Sequence, residues 1–112
     1  MRLGARHRRR QGRITAALAE IDLALPGSIE VRQTRCGKAN CRCHGAPPEL
    51  HGPYIVWTRK VNAKTVTKVL TQDQLRDYQH CFDNAHKLRT LVAELQDLTL
   101  QVVEEDDHRR RA

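Results

Sequence analysis

Five residues between positions 36 and 51 carry metal-ligating chemistry. Cys36, Cys41 and Cys43 fall within eight residues, and His44 and His51 follow. Zinc takes four ligands in a tetrahedron, and three thiolates with one imidazole are a common structural set. Thiolates bind only when deprotonated, and the metal itself supplies that stabilisation. Gly37 lets the backbone curl so that amides can point at sulfur. Arg35, Lys38 and Arg42 offset the negative charge of a three-thiolate site. His51 is favoured as the fourth ligand, because Gly45–Leu50 (GAPPEL) leaves room for the chain to fold back and Pro47-Pro48 stiffens the return. His44 is the alternative, although a residue adjacent to Cys43 rarely reaches the same ion without strain. Metal-free buried thiols and a redox switch are the competing readings, since C-x4-C-x-C is less diagnostic than paired C-x2-C knuckles. Cys81 falls near an apolar stripe and reads as a small buried hydrophobe.

Catalysis finds little support. A catalytic zinc needs an open position and a general base beside it. The chain has no H-E-x-x-H, no deaminase-type H-x-E with P-C-x-x-C, and no Gly-rich phosphate loop. A nucleophile built from Cys43 and His51 lacks a nearby acid to orient the imidazole. The expectation is a protein that is not an enzyme.

Charge points to a polyanion. The net charge is +7, but residues 1–70 carry +10 and residues 71–112 carry −3. A basic head with an acidic-leaning tail suits nucleic acid, DNA or RNA. The candidate contacts are Arg8, Arg9 and Arg10 near the N-terminus, Arg35, Lys38 and Arg42 around the metal loop, and Arg59, Lys60, Lys64 and Lys68 on a β-hairpin. Trp57 among the hairpin cations could stack a base. The four aromatic residues of the chain are few, however, so the core has more need of it.

These side chains need elements to hold them. Residues 1–13 are Arg-rich with two glycines and read as a flexible arm. Ile14, Ala17, Leu18, Ile21 and Leu25 mark one face of a helix over 14–25, ended by Pro26-Gly27. Residues 28–34 alternate as a strand. Residues 35–53 form the metal loop, and 54–70 a hairpin turning at Asn62-Ala63, where glycine would suit the second position better. Thr71 and Gln74 resemble a capping box that opens a long helix over 72–105. Its apolar stripe runs from Leu75 to Val102 without Pro or Gly, although Asp83-Asn84 could kink it. Residues 106–112 read as a fraying charged tail. The expected architecture is α+β in a single domain over 14–105: a short N-terminal helix, a hairpin or three-stranded sheet stapled by the metal loop, and a long C-terminal helix.

The 14–25 helix is too short to cover the whole stripe. A homodimer through Leu88, Val92, Leu95 and Leu98 is therefore expected, with a zinc-stabilised protein-interaction adaptor as the alternative function. No run approaches the roughly 20 apolar residues of a membrane helix. Glu20 and Asp22 spoil a signal-peptide core, while a mitochondrial presequence is the alternative reading of the Arg-rich start. The expectation is a cytoplasmic protein with no membrane partner, where four cysteines suggest metal before disulfides.

The motifs LPGS at 25–28, RCGK–CRC at 35–43, HGPY at 51–54 and W-x-RKV at 57–61 carry a resemblance. Over roughly residues 25–100 the chain resembles an uncharacterised family of short bacterial proteins, a domain of unknown function. The resemblance carries over Cys36, Cys41, Cys43, His51, Gly52, Pro53 and Tyr54. It implies a metal site and an association with mobile elements, hence a mobile-element protein as a partner, but no activity. Ala63 departs from the glycine common at the family's hairpin turn.

Overall fold

The computed structural model describes residues 1–111; Ala112, the last residue of the expected tail, lies outside them. The elements in order are α1 (Ala5–Ala19), β1 (Ser28–Thr34), a short 3-10 turn (Arg42–His44), β2 (His51–Val61), β3 (Lys64–Leu70) and α2 (Gln72–Arg111). The α+β expectation holds. The chain divides into two compact units, Pro26–Phe82 and Met1–Leu25 with Asp83–Ala112.

In the first unit, β1, β2 and β3 form one antiparallel sheet in that order. The register sets Ile29, Trp57 and Lys68 side by side, and likewise Val31, Ile55 and Leu70. Ile55, Val56 and Leu70 are buried. Asn62 and Ala63 make the two-residue turn with φ of 51° and 66°. Both values are left-handed, as a turn matched to strand twist requires. Pro26-Gly27 serves the sheet. The Trp57 indole N–H donates to the Pro26 carbonyl at 2.8 Å. Gly27 has φ 89°, and a Cβ there would collide with the Thr58 carbonyl oxygen. Thr71 and Gln74 close a reciprocal capping box, each side chain bonded to the other's backbone N–H at 3.0 Å.

The second unit corrects the expected N-terminus. Helix α1 starts at Ala5 and stops at Ala19, so the Arg-rich segment is helical and not a flexible arm. Arginine is a good helix former, and its stem can cover apolar surface while the head stays wet. His7 meets Glu105 at 3.0 Å, and Arg10 donates to Asp97 at 3.2 Å. Ile14, Leu98 and Val102 form the core, with Leu3, Leu18, Leu91 and Leu95 packed around it. Residues 21–25 are not helical. The Asn84 amide donates to Asp22 Oδ1 at 2.8 Å and to the Leu23 carbonyl at 2.9 Å, which holds this segment in an irregular path.

Asp83-Asn84 does not break α2, because Asn84 is buried and turns its amide to those partners. Nor does the tail fray at 106. Arg110 pairs with Asp106 and Arg111 with Asp107, each four residues on, and terminal cations oppose the negative end of the helix dipole. Among the described residues, no helix is long and apolar enough to cross a membrane.

Candidate metal centre

The centre forms where β1 hands the chain to β2. These strands are antiparallel neighbours, so the end of one lies beside the start of the other. Register shifts between Arg32 and Thr34, and Thr34 then pairs with His51. Strand β2 thus begins at His51, earlier than the expected loop boundary, and His51 sits on the sheet. Gly52 makes this corner fit: its φ is 110°, and a Cβ would lie 2.8 Å from the Arg32 carbonyl oxygen. Cys36 follows β1 by two residues and approaches His51 from the facing strand.

The loop delivers the other two thiols. The Cys41 amide donates to the Lys38 carbonyl at 3.1 Å, closing a turn. The His44 amide donates to the Cys41 carbonyl at 3.0 Å, and the Gly45 amide to that of Arg42 at 3.0 Å. This 3-10 turn buries Cys43 completely.

The four ligand atoms of Cys36, Cys41, Cys43 and His51 all lie within 4.8 Å of one another. The Cys36 and Cys43 sulfurs are 3.6 Å apart, and Cys41 Sγ is 3.3 Å from His51 Nε2. A tetrahedron with ordinary zinc bond lengths puts sulfurs about 3.8 Å apart, and sulfur about 3.5 Å from nitrogen. The arrangement is compatible with zinc, and these residues could hold a metal ion. The Cys36 backbone N–H donates to Cys43 Sγ at 3.3 Å, a bond that favours thiolate. The Cys43 backbone amide, then the Cys36 and Cys43 thiols and His51, pull the Cys41 thiol down from 9.0 to about 6. Burial pushes the Cys43 thiol up.

His44 does a different job. Its Nε2 donates to the Cys36 carbonyl at 2.7 Å, so it braces the loop from outside the cluster. Arg35, Lys38 and Arg42 are exposed around the loop, and Arg42 comes within 3.9 Å of Glu49. Cys81 lies in α2, apart from the cluster.

The remaining cations divide between surfaces. Arg59 lies over the Trp57 ring, 4.2 Å from its centroid, and the Phe82 ring meets Trp57 edge-on at 5.8 Å. Arg59 Nη1 is buried without a hydrogen-bond partner among the described residues, so this end of the guanidinium packs against the Trp57 ring. Trp57 is likewise a packing residue. Register places Lys64 and Lys68 on the Trp57 face and Lys60 on the other, so the hairpin cations do not share one face. All three lysines are exposed. On α1, Arg8 donates to the Leu3 carbonyl at 3.2 Å and Arg10 is held by Asp97. Arg6, Arg9 and Arg13 recur at three and four residues along one face and have no acidic partner among the described residues. With His7, Arg10 and Gln101 they line a cavity of about 420 Å³. The 3-4 spacing of these arginines is the signal in the sequence that marks one helix face.

A family model described as a domain of unknown function (DUF6788) matches residues 5–80. The chain belongs to that family. The matched segment opens on the first residue of α1 and takes in the whole sheet and all four clustered residues. DUF6788 carries no stated activity, so membership supplies a family and not a function. No curated protein and no solved structure matches the chain.

Proposed function

We propose that this DUF6788 protein is a zinc-stapled nucleic-acid-binding module and not an enzyme. Cys36, Cys41, Cys43 and His51 would hold one structural zinc ion. Three thiolates and an imidazole fill all four positions, which leaves none for a substrate or an activated water. The metal's work would be to fix the loop between β1 and β2, which has few apolar side chains of its own.

The observation that carries the nucleic-acid reading is the arginine ridge of α1. Arg6, Arg9 and Arg13 share one helix face, unpaired, beside the cavity that Arg10 and His7 help to line. A rigid row of guanidinium groups at one-turn spacing is suited to successive phosphates, and it offers bidentate contacts to each. Such contacts position a backbone without reading bases. Purified protein should carry about one zinc per chain. Three phosphate contacts to duplex DNA should give a log–log salt slope of about −3. Replacing Arg6, Arg9 and Arg13 by glutamine should remove most of that slope. No retention on either DNA or RNA at low salt would end this reading.

One observation favours a second reading, a protein-interaction adaptor. Leu88, Val92, Leu100 and Val103 are exposed on α2. Binding that survives high salt would belong to that apolar surface and not to the ridge.

A further inference from the structure

The C-terminal part of α2 carries a wider apolar surface than α1 covers. Leu91, Leu95, Leu98 and Val102 recur at four, three and four residues and pack with Ile14 and Leu18. A second stripe runs beside this one. Leu88, Val92 and Val103 share it with Thr99, and the three apolar members are 37%, 40% and 46% exposed. At 3.6 residues per turn the two stripes are centred roughly 80° apart, so α1 on the first leaves the second open.

Charge decides what fits there. On the second stripe and its Arg89 edge the charged residues are Arg89 at one end and Asp106, Asp107 and Arg110 at the other, where Arg110 is already paired with Asp106. A parallel copy of the same helix would set like charge against like. In an antiparallel copy centred near position 98, Arg89 would lie opposite Asp107, while His86 and Lys87 point away from the stripe. Arg89 and Asp107 are eighteen residues apart, which is five turns, so they fall on the same edge of the second stripe. In an antiparallel pair this edge faces itself, and each Arg89 meets the other copy's Asp107. Arg89 has no ion-pair partner among the described residues, and Asp107 pairs with Arg111 at an exposed site.

We propose that this second stripe is a two-fold, antiparallel homodimer interface, closed by two symmetry-related Arg89–Asp107 pairs. The axis passes near position 98, which brings Val92 of each copy to Val103 of the other. The contact is isologous, so each feature occurs twice and the assembly stops at two. The inference is independent of zinc and of nucleic acid.

Sedimentation of the intact, zinc-replete protein over the micromolar range tests it. The wild type should be a dimer. Val92→Glu with Val103→Glu should be a monomer with unchanged helicity, because both positions are exposed within one chain. Arg89→Asp alone and Asp107→Arg alone should each weaken self-association about tenfold, since each reversal acts at two pairs. The double reversal should restore it. A wild-type monomer at high micromolar concentration overturns the proposal and leaves the stripe to an unlike protein. A dimer that ignores the single reversals, or that the double reversal fails to restore, overturns the antiparallel arrangement.

Discussion

Replacing Ala63 by glycine should stabilise the protein, although it only removes a methyl group. Asn62 and Ala63 hold φ values of 51° and 66° in the β2–β3 turn. For an L-residue with a Cβ, the left-handed region costs about 1–2 kcal/mol. Glycine escapes that cost but loses more backbone freedom on folding, about 0.5–1 kcal/mol relative to alanine. Ala63 is exposed, so no packing is lost with its methyl. The difference leaves about 0.5–1 kcal/mol in favour of glycine. With an ordinary denaturant slope, the urea midpoint should rise by roughly half a molar. The assay is equilibrium urea unfolding at fixed zinc, followed by circular dichroism, with the slope compared between variants. Asn62→Gly is the control: asparagine tolerates the left-handed region, so its midpoint should move less. An Ala63→Gly midpoint equal to or below the wild type would refute the reasoning, because a relaxed alanine has nothing to gain.

Cys41→Ser should reduce bound zinc from about one per chain to near zero, whereas Cys81→Ser, at a half-buried position, should keep the metal and cost about 1 kcal/mol or less; equal metal content in the two would argue against the site. Trp57→Phe keeps an aromatic ring against Phe82 but removes the exposed indole bond to the Pro26 carbonyl, so it should cost about 0.5–1.5 kcal/mol by urea unfolding. The Arg110 guanidinium holds the Asp106 carboxyl below its ordinary 3.8. A depressed carboxyl stabilises the folded state above its unfolded pKa and loses that contribution as pH falls through the folded value, so the loss belongs to the range below pH 3.8. Arg110→Ala should move the Asp106 titration back up, as read by carboxyl NMR.

What the sequence revealed depended on how far apart the interacting residues lie. The thiol cluster, the alternation of β1 and the capping box of Thr71 and Gln74 are local, and local spacing revealed them. The hairpin turn was legible for the same reason, down to the poor second residue. The choice between His44 and His51 was not local. It rests on the antiparallel pairing of β1 with β2, whose shifted register sets Thr34 opposite His51. Helix α1 is masked in the sequence because two polar residues sit on its inward face. His7 and Arg10 interrupt the apolar period between Leu3 and Ile14, and their reason for being there, Glu105 and Asp97, lies about ninety positions away. A separation of about sixty positions likewise hid the end of the helix, since Asn84 holds residues 22 and 23.

Two groups of motif residues hold the β1–β2 strand pair. Pro26, Gly27 and Trp57 tie the start of β1 to the middle of β2 through one indole bond and one close backbone approach. Gly52 lets the opposite end of that strand pair turn at the register shift. Neither group ligates anything, yet together they fix both ends of the β1–β2 ladder. The ladder is what brings Cys36, just past β1, to His51, the first residue of β2. Loss of Gly52 should therefore look like loss of a ligand. Gly52→Ala leaves all three thiols and the imidazole in the chain, but its Cβ would press on the Arg32 carbonyl at 2.8 Å and its φ of 110° would be strained. Zinc affinity should fall about 10–100-fold, the range seen when a group that orients a ligand is lost. Competition with a chromophoric chelator measures it. An unchanged affinity would show that the loop finds its geometry without the strand register.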